Sequence, residues 1–116
     1  MPKIILFTLS ITVIMLTAFF TLLFSANSPK PVPKSEIDTA INQAQYIYRQ
    51  KSLSGEDFSN SPCLSNDLLP GWVVDIVHSP RLEIDNLVEN QCPAYLEGRA
   101  KHIVELDLEG NLIGAQ

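Results

Sequence analysis

Residues 4–24 read IILFTLSITVIMLTAFFTLLF, a run without a charged residue, glycine or proline. Its polar side chains are hydroxyls of serine and threonine. As a helix, these residues rise roughly 31 Å at about 1.5 Å each, which is close to the hydrocarbon thickness of a bilayer. The stretch therefore predicts a transmembrane helix that holds the rest of the chain at a membrane surface.

The same stretch fits two interpretations, an uncleaved anchor or a cleaved signal peptide, and its length favours the anchor. Signal peptides have an apolar core of about 7–15 residues followed by a small-x-small cleavage site. A cut after Ala26 would place bulky Phe24 at the third position before it, and a cut after Ser28 would place Pro29 directly behind it. We expect residues 1–26 to form a signal anchor, with a cleaved, secreted form as the alternative.

The basic residues around the stretch decide its orientation only weakly. Lys3 stands on one side, and Lys30 and Lys34 stand on the other, so the positive-inside rule is nearly balanced. An early apolar segment acts like a signal anchor, and paired cysteines suit an oxidising compartment. We predict a single-pass protein of the cell membrane that contacts lipid through residues 4–24, with its C-terminal domain outside the cytoplasm.

The remainder of the chain is small and acidic. The 116 residues include 8 basic and 13 acidic ones, and Lys3 is the single charged residue before residue 27. The rest therefore has 7 basic residues against 13 acidic ones, which repels phosphate backbones and argues against nucleic acid as a partner. A domain over residues 35–116 has a modest core and is marginally stable without a covalent staple.

A proline-rich linker and then a helix follow the apolar stretch. Residues 27–34, NSPKPVPK, predict an extended, semi-rigid spacer. Ser35 and Asp38 have the spacing of a capping box, which predicts a helix over residues 36–52. Apolar residues at helical spacing give this helix one face toward a core: Ile37, Ala40, Ile41, Ala44, Ile47 and Tyr48.

The remaining segments predict a small sheet. Residues 54–71 are rich in Ser, Asn, Gly and Pro and predict a loop, and residues 85–91 a short helical turn. Strands are predicted over residues 72–78, 101–108 and 112–115, with a hairpin turn at 109–111. We expect an α+β fold, with one amphipathic helix on a mainly antiparallel sheet of about three strands.

Pairing of the first two predicted strands decides which side chains meet. An antiparallel register would place position 76 opposite 104 and position 78 opposite 102. The connection of 22 residues between these strands also permits a parallel crossover.

Cys63 and Cys92 are the two cysteines of the chain. In a small domain on the outer side of a membrane, such a pair predicts one disulfide. Closing a loop of this length stabilises a domain by about 3–4 kcal/mol in the chain-entropy model.

His78 and His102 carry the main alternative, a small metal-dependent or thiol enzyme. In the antiparallel register they end the same face of neighbouring strands, where a cysteine would complete a zinc site or a nucleophile pair. The spacing matches no zinc-finger pattern, there is no Cys-x-x-Cys, and histidines at the rim of a core are the simpler interpretation. We therefore expect no catalytic residues, metal ligands or cofactor.

Two resemblances concern the domain, and one of them favours a binding role. Residues 90–95, NQCPAY, with residues 102–107 and the final hairpin, resemble a set of uncharacterised small envelope proteins of candidate-phylum bacteria, which implies no activity. The hairpin ELDLEGNLI at 105–113 resembles those of PepSY-type secreted domains, helix-plus-sheet modules thought to bind or inhibit.

We predict an extracytoplasmic module that binds or scaffolds another envelope protein. The residues expected at its binding surface are of types common in protein contacts: Trp72, His78, Tyr95, Arg99 and His102.

Overall fold

A computed structural model describes residues 2–26 and 29–116. The chain forms two compact units, one within Met1–Pro31 and one comprising Val32–Gln116. The first positions of the predicted linker, 27 and 28, lie outside the described residues. At the end of that linker, Val32 packs against the core of the second unit, so the folded domain begins before the predicted residue 35.

Helix α1, Lys3–Ala26, is long and apolar enough to cross a membrane, a property that signal sequences near an N-terminus share. Threonine hydroxyls along α1 donate hydrogen bonds to backbone carbonyls three or four residues earlier. Examples are Thr12 Oγ1 to Leu9 O at 2.8 Å and Thr21 Oγ1 to Ala18 O at 2.8 Å. Because these hydroxyls are bonded within the helix, they need no water and are compatible with hydrocarbon.

Helix α2, Lys34–Leu53, contains the predicted helix 36–52. Its apolar stripe faces the core as expected, with Ala40 and Ala44 fully buried. The predicted serine cap is wrong, because the residue before the helix is Pro33 and no side chain caps the first turn. The extended Pro33 instead accepts the first amide hydrogen bonds through its carbonyl.

Four strands form one sheet within the described residues, in the spatial order β1-β2-β3-β4. Their bounds are β1 Cys63–Leu69, β2 Trp72–Ile76, β3 His102–Leu106 and β4 Leu112–Ala115. β1 and β2 form an antiparallel hairpin, as do β3 and β4, whereas β2 and β3 are parallel. The α+β class is confirmed, and the sheet has four strands rather than three.

Strand β1 lies inside the predicted loop 54–71, which corrects that prediction. Its sequence CLSNDLL is poor in strand-forming residues, and its pairing with β2 is interrupted by two register shifts. Leu64 and Leu68, four positions apart, are buried on one face of β1, whereas Asn66 between them is exposed, so the strand lacks a regular buried-exposed alternation. Pro70 and Gly71, with φ +80° at Gly71, then turn the chain into β2.

The predicted antiparallel register of the two central strands is wrong. Trp72 pairs with His102 and Ile76 with Leu106 in a parallel ladder. Parallel neighbours need a long crossover, and residues 77–101 supply it. This crossover contains two short 3-10 helices, Glu83–Asn86 and Val88–Asn90, which overlap the predicted helical turn at 85–91, and helix α3, Pro93–Leu96.

The two faces of the sheet are covered by different parts of the chain. Helix α2 packs on one face, where Trp72, Val74 and Ile76 of β2 are fully buried with Val104 and Leu106 of β3. The crossover and α3 cover the other face, where the core is smaller. Its buried members are Val73, Cys92, Ala94, Ala100 and Ile103.

The predicted disulfide is seen in the structure. Sγ of Cys63 and Sγ of Cys92 lie 2.05 Å apart. The bond joins the first residue of β1 to the residue before α3. It therefore fastens the end of the crossover to the sheet, on the face away from α2.

Candidate functional site

A cleft of about 240 Å³ opens on the sheet face that the crossover covers. Side chains from β2, β3, α3 and the crossover line it, and they are mostly polar or charged. Those that matter below are Asp75, Arg81, Tyr95, Ile103 and Glu105.

Asp75 forms part of the floor of this cleft. It is the third residue of β2, and only 3% of its surface is exposed. Its Oδ1 atom has no hydrogen-bond partner among the residues that the structure describes. A buried polar atom without a partner is destabilising and rare in folded proteins, so it calls for an explanation. Its position in the lining of a cleft indicates a ligand site.

Glu105 lies beside Asp75 because the two residues are direct partners in the parallel ladder. Neighbouring strands are about 4.8 Å apart, so both carboxyl groups project from the same face at close range. Glu105 is also paired with Arg81, whose Nη1 lies 2.8 Å from Glu105 Oε2. Arg81 Nε donates to Asn86 Oδ1 at 2.9 Å, which holds the guanidinium against the crossover.

The environment of Asp75 favours its neutral form. Burial raises its pKa to about 7, and the charge of Glu105 adds to the shift. The backbone amide of Ile76 and the charge of Arg81 oppose the shift and offset it only in part. Carboxyl groups whose pKa lies near neutrality inside a cleft are common at functional sites.

A second polar cluster lies just beyond the end of β2 and joins Ser61, His78 and Asp85. Oγ of Ser61 and Oδ1 of Asp85 each lie 2.8 Å from the same ring nitrogen, Nδ1 of His78. Ser61 also donates its hydroxyl hydrogen to Asp85 Oδ1. In a hydrolytic triad the serine and the carboxylate contact opposite nitrogens of the imidazole, so this cluster lacks that geometry.

The role of this cluster is structural. Oδ2 of Asp85 accepts hydrogen bonds from the backbone amides of His78 at 3.1 Å and Leu82 at 2.7 Å. Burial by itself raises the pKa of Asp85, but the hydrogen bonds from Ser61, His78 and Leu82 outweigh it and lower the pKa to about 2. The carboxylate therefore fixes the chain where it leaves β2.

The five residues predicted to form one binding surface lie at more than one place: Trp72 is near Arg99 and His102, whereas His78 and Tyr95 lie elsewhere. Trp72 is 1% exposed, donates its indole N–H to Glu36 and stacks on His102, with ring centroids 4.9 Å apart. Arg99 and Trp72 both line a depression next to the turn between β1 and β2. Tyr95 is 37% exposed and is the member of the set that lines the Asp75 cleft.

The two histidines predicted as a catalytic or metal pair are at opposite ends of the sheet. His102 begins β3 beside Trp72, whereas His78 follows the end of β2, and the two strands run in the same direction. Both cysteine sulfurs are bonded to each other. The described residues include no group of three His, Cys, Asp or Glu side chains placed to hold a metal ion.

Sequence reasoning missed the Asp75 cleft, although the sequence contains a signal for it. Asp75 interrupts the run WVVDIV, where all six residues are buried in the structure. A single carboxylate among consecutive apolar strand residues indicates a charge on a covered sheet face. Its neighbour across the ladder, Glu105, was recognisable as well, because the predicted antiparallel register that places position 76 opposite 104 also places 75 opposite 105. The sequence pattern did not indicate the crossover that covers these two carboxyl groups.

No protein-family model, curated protein sequence or solved structure matches this chain. The resemblances to small envelope proteins and to PepSY-type hairpins therefore stay predictions, and function is inferred from the cleft itself.

Replacement of Asp75 by Asn tests whether burial in the folded state raises the pKa of this carboxyl group. The folded-state pKa is above the unfolded value of about 4, so the native state binds a proton more tightly. The free energy of unfolding of the wild type should therefore fall as pH rises from about 4 through 7. Asp75→Asn should remove this fall and be more stable at pH 8 by up to about 4 kcal/mol.

Urea unfolding of the full chain in detergent micelles, followed by the fluorescence of Trp72, measures this difference. Asp67→Asn is the matched control, because Asp67 is an exposed aspartate of the neighbouring strand β1. Equal pH profiles for the wild type and Asp75→Asn would contradict the assigned state of Asp75.

Proposed function

We propose that this protein is a single-pass membrane protein whose acidic domain lies outside the cytoplasm and binds a small ligand in the Asp75 cleft. The observation that carries the binding role is Asp75, which lines the cleft and has a buried Oδ1 without a hydrogen-bond partner among the described residues. The ligand is free, or is an exposed group of another envelope component that the domain holds.

The anchor and its orientation rest on α1 and on the disulfide. Helix α1 has no charged residue after Lys3, and its threonine hydroxyls are bonded within the helix. Disulfides persist in oxidising compartments and are rare in the cytosol, so the Cys63–Cys92 bond favours a domain outside the cytoplasm. A cleaved, secreted form would present the same cleft without the anchor.

The cleft suits recognition of a small group. Ligand pockets for drug-sized molecules are about 300–1,000 Å³, so a cleft of about 240 Å³ accommodates a compact molecule or one group of a larger one. A ligand that donates a hydrogen bond to Asp75 would remove the penalty of its unpartnered oxygen. The fold thus leaves unsatisfied an interaction that a ligand can complete.

Binding is favoured over catalysis by the positions of the reactive groups. The histidines predicted for an enzyme are at opposite ends of the sheet, and the Ser61 cluster has its hydroxyl and its carboxylate on one imidazole nitrogen. The sulfur atoms form a disulfide. Ser61 Oγ lies 2.8 Å from His78 Nδ1, but Ser61 donates its hydroxyl hydrogen to Asp85 and is 1% exposed, so this hydroxyl is not presented to a substrate.

Protease accessibility tests the anchor and its orientation. In sealed right-side-out membrane vesicles, added protease should digest the domain and leave a short membrane-bound fragment that contains α1. Digestion in inside-out vesicles alone would contradict the orientation, and recovery of the intact chain in the soluble fraction would contradict the anchor.

A panel of three small probes with a three-carbon chain tests the binding role: propylamine, propionamide and propionate. The full chain in lipid nanodiscs is titrated with each probe while NMR follows the groups that line the cleft. At least one probe should bind the wild type and Asp67→Asn but not Asp75→Asn, and should stabilise the fold by about 2.7 kcal/mol at a hundred times its Kd. If no probe binds, or if Asp75→Asn leaves the affinity of every probe unchanged, the proposal is contradicted.

A further inference from the structure

We infer that the ligand of the Asp75 cleft carries an organic ammonium group, which Asp75 Oδ1 and the Glu105 carboxylate bind together. This inference rests on the proposed binding function and names the chemical class of the ligand.

The arrangement of acceptors supports an ammonium group. A protonated amine has up to three N–H donors, carries one positive charge and has no acceptor. The cleft presents two carboxyl groups at directly paired positions of adjacent strands, and one of their oxygens is unpartnered. Hydrogen bonds between an ammonium and a carboxylate are the charge-assisted kind, which are stronger than neutral ones.

The net negative charge of the cleft disfavours an anionic ligand. Arg81 is the cation of the cleft lining, and its guanidinium is already bonded to Glu105 and Asn86. With Asp75 ionised, the two carboxylates outnumber this guanidinium, so the cleft has a net negative charge. A ligand with one positive charge neutralises it.

The same residues disfavour a metal ion. Calcium takes six to eight oxygen ligands, and magnesium needs near-octahedral coordination. Two carboxyl groups supply too few ligands, and the Arg81 guanidinium, paired with one of them at 2.8 Å, repels a divalent cation. An ammonium needs only the acceptors that the cleft provides.

The other walls indicate a short organic body. Ile103 is a buried apolar residue of the lining, and the ring of Tyr95 forms another part of it. Together with the volume of about 240 Å³, they fit a primary amine with a small, partly apolar chain.

Binding of an ammonium should be coupled to the loss of a proton. The titratable and charged groups around Asp75 are Glu105 on β3, Arg81 and Asp85 from the crossover, and Tyr95 on α3. Asp75 has a pKa of about 7 and must be ionised to pair with the ammonium. The affinity for propylamine should therefore fall by roughly thirtyfold from pH 8 to pH 5.5.

Titration of the full chain in nanodiscs with propylamine at these two pH values tests the inference. Propylamine should bind more tightly than propionamide or propionate, with proton release near pH 7. Asp75→Asn should lower its affinity at least tenfold, since it removes a charge-assisted interaction, and Asp67→Asn should not. Glu105→Gln is the second variant and should also weaken propylamine, which keeps the test decisive if one variant fails to fold.

The outcomes distinguish failure of the ammonium assignment from failure of the proposed binding function. If propionamide or propionate binds at least as tightly as propylamine and depends on Asp75, the binding role stands and the ammonium is wrong. Affinity for propylamine that is equal at both pH values also overturns the inference. If no probe binds, both the ammonium and the binding role are wrong.

Discussion

Parallel pairing of β2 with β3 is the constraint from which the geometry of the second unit follows. Parallel strands cannot be joined by a tight turn, so the chain must travel back across one face of the sheet. Here it crosses the face away from α2, and the Cys63–Cys92 disulfide fastens it there. The same pairing places Asp75 beside Glu105 and covers both with the crossover.

The two buried aspartates differ in the hydrogen bonds that the fold gives to their carboxyl groups, and therefore in their pKa. Asp85 receives hydrogen bonds from two backbone amides and Ser61, and its pKa falls to about 2. Asp75 has an unpartnered oxygen and a like charge beside it, and its pKa rises to about 7. Since the fold can satisfy a buried carboxylate, the unsatisfied one is best explained by a function.

Patterns among residues close together in the sequence correctly predicted helix α2 and the turn of the final hairpin. Spacing of Ala40, Ala44 and Tyr48 predicted the inward face of α2, and Gly110, with φ +87°, forms the turn of the final hairpin as expected. The features that were missed depend on contacts between distant residues. Register shifts hid β1, and period-two alternation is the same for parallel and antiparallel strands. The partner of Asp75 was nevertheless predictable, because the antiparallel register with position 76 opposite 104 also places 75 opposite 105. The crossover that covers both carboxyl groups was not.

The ionisation of Asp75 in the full-length protein is the quantity on which this assignment of function depends most directly. It is measured by following the side-chain carboxyl carbon of Asp75 by NMR through a pH titration in lipid nanodiscs, with exposed Asp67 as the internal reference. A midpoint near pH 7 for Asp75, well above that of Asp67, is the expected result. A midpoint near pH 4, as for a solvated carboxylate, or below it, as for a fully hydrogen-bonded one, would contradict the proposed site.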